Sequence, residues 1–260
     1  MATGPPAAIA EDGLGDRARD HVTLALLVLS GAAWLLLWAW SLGGQGHHGG
    51  AGAAGRSSAL ALAAGWLVMV VAMMLPLAIE LLGSVRRLTS RRARPGLYAA
   101  VAGAGFLAPW VLTGQVAQAA DIGLRALVGW SGLTGAGVGV VAGCAVAAAG
   151  AFQLSPLKHR SLATCRSPVG FAMRRWTGGR PAVDAARIGA AYGASCVACC
   201  WALMAVMVAA SAGGVLVMMP LAAVMVIERS TPWGPAVARA AGVLLIALGI
   251  AWVVASLALG

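Results

Sequence analysis

The side chains best equipped for chemistry in this chain carry sulfur. Cys196, Cys199, Cys200, Met204 and Met207 stand within one short run, from Cys196 to Met207, that holds no charged residue. At about 100° per residue, Cys196, Cys200, Met204 and Met207 fall within about 80° of helical arc, with Cys199 about 60° to the other side of Cys196. A helix here therefore presents five soft donors on one face. The rise from Cys196 to Met207 is roughly 16 Å, too long for one site on a straight helix to use every sulfur but suited to a site with an approach route. Thiolate and thioether ligands select Cu(I); Zn(II) is less suited to methionine, and Mg or Ca would need oxygens that the face lacks. Cysteine and methionine are also ordinary buried residues, so the same face reads equally as packing.

The elements that must position this face are membrane spans. Hydrophobic residues make up 60% of the 260 positions and charged residues 10%, and the mean hydropathy is +0.86, which implies an all-α, polytopic transmembrane helix bundle in contact with the lipid bilayer. The net charge of +10 sits in short arginine-rich segments between apolar runs, where it reports orientation and contact with anionic headgroups; no nucleic-acid motif accompanies it. Apolar runs at about 22–42, 59–83, 97–119, 133–154, 184–210, 215–227 and 237–258 give seven spans. The count is six if the first run is removed or the short sixth is re-entrant. Residues 1–20 read as a mobile leader and 21–260 as one transmembrane domain with basic loops at 84–96 and 155–187. Placing both loops in the cytoplasm, at the cell's inner (plasma) membrane, puts the N-terminus inside and leaves only Arg56 and Arg125 of the 18 lysines and arginines outside.

That orientation runs the fifth span outward, with Cys196 to Cys200 near midplane and Met204 and Met207 on the outer half. The second span runs inward, carrying Trp66, Met69, Met73 and Glu80 on one narrow face, which brings Met69 and Met73 to a similar depth. Pro76 cannot donate to the carbonyl of Ala72, which predicts a bend and an underused acceptor. Glu80 reads as an ion-pair partner for Arg86 or Arg87, or as a ligand or gate. Glycines 135, 139 and 143 form overlapping GxxxG repeats that mark a core helix with Cys144 beside the seam. The pair His47-His48 lies in a glycine-rich loop. With four of five cysteines in spans and Cys165 in a basic loop, free thiols are expected in place of a disulfide framework.

Three pieces of the chain together resemble a bacterial family of predicted metal-binding integral membrane proteins of unknown function, some of whose members are labelled copper chaperones. They are Trp66-x2-Met69-x3-Met73-Met74-x-Pro76; Gln153-Leu154-Ser155-Pro156-Leu157-Lys158 leading to Cys165-Arg166-Ser167-Pro168; and Tyr192-Gly193 leading to Cys196-x2-Cys199-Cys200-Trp201-x-Leu203-Met204. The resemblance implies metal binding by a membrane bundle. Leu162 stands where the family often begins a cysteine-containing turn, so the loop offers the single thiol of Cys165.

These readings converge on copper handling or delivery. Met69, Met73, Met204 and Met207 would make labile contacts, Cys196, Cys199 and Cys200 a tighter centre, and Cys165 the receiving or releasing group, with a membrane cuproenzyme or other copper protein as partner. A non-metal scaffold or assembly subunit is the alternative. A thiol oxidoreductase using Cys196 and Cys199 is less suited, because such chemistry wants an exposed thiol at a helix start. No hydrolytic constellation is visible, and a non-catalytic protein is expected.

Overall fold

The computed structural model describes residues 8–42, 55–132, 135–209 and 214–259. Helices follow one another without strands among these residues: α1 (Ala8–Leu42), α2 (Gly55–Met74), α3 (Ile79–Leu88), α4 (Pro95–Ser131), α5 (Gly135–Gln153), α6 (Pro156–Cys165), α7 (Pro168–Arg175), α8 (Pro181–Ala209), α9 (Gly214–Ser230) and α10 (Gly234–Leu259). The first helix starts at Ala8, so residues 8–20, expected to be mobile, continue the helix of the first span. Five helices among the described residues are long and apolar enough to cross a membrane, and α2 with α3 forms a sixth candidate bent by 48°. The α9 helix has 17 residues with Pro220 inside it.

The bend between α2 and α3 is the one the proline predicts. A short 3-10 turn, Pro76–Ala78, replaces α-helix there, and the carbonyl that Pro76 leaves without a donor is not wasted. Ser30 Oγ on α1 donates to Ala72 O at 2.7 Å, satisfying a polar group that an apolar interior would otherwise leave exposed to no partner.

At the centre lies α8. Buried residues make up 56% of its apolar window, against 17–22% for the other single-helix spans, and α4 packs along it. Small residues set that contact. Gly189 lies against the Ala102 carbonyl and Gly193 against that of Phe106, each so close that a Cβ would strike the backbone of α4. The two pairs keep one residue offset, so α4 and α8 run parallel. A second glycine seam joins α5 and α10 with opposite polarity: Gly139 meets Ser256, Gly143 meets Gly249 and Gly150 meets Gly242. This corrects the expectation of a core helix. The α5 glycines serve a peripheral pair, Gly135 has open space around it, and Cys144 is exposed.

The basic segment 155–187 is helical where a loop is expected, folding as α6, α7 and the start of α8. Its short helices have packing to gain: Leu162, Cys165, Phe171 and Ala172 are buried. Asp184 accepts from the backbone N–H groups of Thr177 and Gly178 at 3.2 and 2.9 Å, closing the turn between α7 and α8. Arg92 Nη2 donates to the Gly178 carbonyl at 3.3 Å, so the two arginine-rich segments share one end of the bundle, called the basic end below.

Candidate metal centre

Helical spacing puts three thiols on neighbouring positions of α8, because Cys199 and Cys200 follow Cys196 at i+3 and i+4. All three are buried. The fourth thiol arrives on α6. Ser155 starts that helix by accepting the Lys158 N–H on its Oγ at 3.2 Å, with Pro156 in the first turn. At its other end, Tyr192 Oη donates to the Cys165 carbonyl at 2.7 Å, and Arg229 Nη2 donates to Tyr192 Oη at 2.7 Å. Phe106 and Phe171 flank the same tyrosine ring. The last turn of α6 is thereby pinned between α8 and α9.

Pinned so, the Cys165 thiol interacts with those of Cys196 and Cys199, and the Cys200 thiol interacts with the same two. Interaction with Cys196 and Cys199, reinforced by burial, pushes the Cys165 thiol above its ordinary range. Four buried thiols from two elements thus form one group. Among the described residues, no three His, Cys, Asp or Glu side chains converge tightly enough to hold an ion as they stand.

A buried charge network adjoins the thiols. Lys158, fully buried on α6, donates from Nζ to the Cys199 carbonyl at 2.9 Å and to Glu228 Oε2 at 2.6 Å. Glu228 Oε1 accepts from Gln153 Nε2 at 2.8 Å, and the Glu228 carbonyl accepts from Arg166 at 2.9 Å. Burial alone would lower the Lys158 pKa; the neighbouring Cys199, Cys200 and Glu228 outweigh it and hold the ammonium above its ordinary value. Gln153 closes α5, and Glu228 lies in the last turn of α9. The cysteines therefore sit level with the basic-end termini of those helices. Length allows it: α8, with 29 residues, is about 43 Å long, and α6 and α7 flank its lower part.

Two cavities flank the ends of this arrangement. One, of about 290 Å³ and mainly polar, lies beside Cys165 at the basic end, between Arg166, Arg229, Glu80 and the Pro76–Leu77 break. Glu80 thus lies on a cavity wall. The other, of about 70 Å³ and mainly apolar, lies toward the far end of α8 and is lined by Trp66, Met69, Met207, Met218, Gln118 and Asp121, among others. Met69 and Met207 meet there, while Met73 and Met204 are buried in the core and line neither cavity. His47 and His48 lie outside the described residues.

Sequence reasoning missed Lys158 as a core residue, and with it Glu228 and Gln153. The available signals were a glutamine closing an apolar run and an acid at an end otherwise rich in arginine.

Residues 63–252 match a family described as copper chaperone. The match covers well over half of the chain, and the chain belongs to that family. The description names a carrier of metal, in keeping with the expectation that the protein is not an enzyme. No curated protein and no solved structure matches the chain.

Proposed function

We propose that this member of the copper-chaperone family carries Cu(I) on Cys165, Cys196, Cys199 and Cys200 and delivers it at the basic end of the bundle. The observation that carries the reading is the meeting of Cys165, on α6, with Cys196 and Cys199 of α8, some thirty residues later in the chain. A helix face of sulfur alone is explained by packing; a fourth thiol held by a tyrosine, an arginine and a capped helix is a built arrangement. Copper is cargo here. Binding exchanges thiol protons for the ion, and Lys158 offsets the negative charge that the thiolates then carry. Glu228 and Gln153 hold that lysine in place. The polar cavity beside Cys165 gives the ion a way out toward a partner, a membrane cuproenzyme or another copper protein. Met69, Met73, Met204 and Met207 supply soft contacts on the approach from the other side.

In this reading the chain has seven spans, with α9 as the short sixth. The basic end and the N-terminus face the cytoplasm of the inner membrane, as the arginine distribution favours.

The test is the metal content of anaerobically purified protein, native and with Cys196, Cys199 and Cys200 replaced by serine. Native protein retains Cu(I) in a stable ratio to chain, and the variant does not. Copper at background in both would return the sulfur face to packing, in a scaffold or assembly subunit, and zinc in place of copper would change the cargo.

A further inference from the structure

The small cavity at the far end of α8 is a different kind of place from the thiol group. Three thioethers reach it from three helices: Met69 from α2, Met207 from α8 and Met218 from α9. All three are buried. Sequence order gives no hint of this trio, because Met218 stands on a helix whose methionines show no spacing relation to the other two.

Trp66 completes the wall, and its ring is fixed. Its Nε1 donates to the Trp110 carbonyl at 2.8 Å, and Gly114 lies so close beneath the indole that any Cβ there would collide with the ring. An indole held at a cavity wall offers a π face to a cation. The cavity's polar edge is incomplete: Gln118 Nε2 is buried without an acceptor, and Asp121 stands beside it. An arriving cation would let the Gln118 amide present its oxygen. At about 70 Å³, the space admits an ion.

We propose that Met69, Met207 and Met218, with the Trp66 ring, form a second, thioether-only site for a soft monovalent cation, Cu(I) or its analogue Ag(I), separate from the thiol group. It deepens the copper reading by adding a first stop for the ion that involves no proton exchange, since thioethers carry no proton to lose. Thioether donors discriminate against Zn(II) more sharply than thiolates do.

Ag(I) provides the probe. Equilibrium titration of the native chain in detergent is compared with three variants: Met69→Leu/Met207→Leu/Met218→Leu, Cys165→Ser/Cys196→Ser/Cys199→Ser/Cys200→Ser, and the two sets combined. Methionine and leucine have similar volumes, so the first variant keeps the fold; circular dichroism and thermal melting check each chain. The expected result is one equivalent of Ag(I) lost in each single-set variant and no specific binding in the combined one. Loss of all binding in the cysteine variant, or full native stoichiometry in the methionine variant, overturns the thioether site. Failure of the thiol reading looks different: the cysteine variant would then bind as much as the native chain.

Discussion

The middle of α8 and its far end hold soft donors in contrasting settings. On the side toward the basic end, Cys165, Cys196, Cys199 and Cys200 lie against Lys158 and Glu228, with a polar cavity beside them. Near the far end, Met69, Met207 and Met218 line a small apolar cavity under a fixed tryptophan. One setting supports charge: it has a compensating ammonium and access to polar space. The other, with thioethers alone, would take a cation without charged thiolates and without proton release. In the proposed reading, unequal donor strength along one helix would set weak contacts at its far end against strong ones at its middle, a direction built from chemistry alone.

The largest expected effect breaks the strong end. Replacing Cys196, Cys199 and Cys200 by serine removes tight Cu(I) retention, read as metal per chain after dialysis against a competing chelator. Next comes the charge network. Glu228→Ala strands the buried Lys158 ammonium and costs about 3–5 kcal/mol, read as a fall in thermal stability in detergent; an unchanged melting point would mean that Lys158 finds another partner. Gly193→Ala pushes a Cβ into the Phe106 carbonyl and separates α4 from α8 at about 1–3 kcal/mol, with melting again as the measure. The pH dependence sharpens the contrast between the ends. Thiols must give up protons to bind metal, so Cu(I) affinity at the basic end falls as pH falls. Cys165, held protonated by its neighbours, extends that dependence to higher pH, which competition titrations across pH would show. The smallest effect is at the bend: Ser30→Ala leaves the Ala72 carbonyl unpartnered at about 0.6–2 kcal/mol.

Parts of this arrangement are legible before any coordinates. The sulfur face of α8 follows from spacing, the break at Pro76 and the carbonyl it frees follow from proline chemistry, and the similar depth of Met69 and Met73 to the sulfurs of α8 follows from antiparallel spans, although which methionines meet does not. The arrival of Cys165 and Lys158 is not legible, because 156–165 is polar enough to read as loop and becomes helix through burial of Leu162 and Cys165 against α8. Lys158 shows why charge alone misleads: in a basic segment it counts toward orientation, yet its partners lie in α8 and α9. The GxxxG repeats tell of close approach but not of the neighbour, and α10 takes the place that the core was expected to fill. Met218 was invisible for the same reason, since its partners are set by tertiary packing.

Cys144 stands apart from the other four cysteines, exposed on α5 while they are buried. An alkylating reagent able to enter the membrane should therefore find this sulfur first and leave the buried group for last. A bound ion would widen the gap further, so the number of sulfurs modified per chain, read by mass spectrometry, reports occupancy of the buried group with Cys144 as an internal standard on the same molecule.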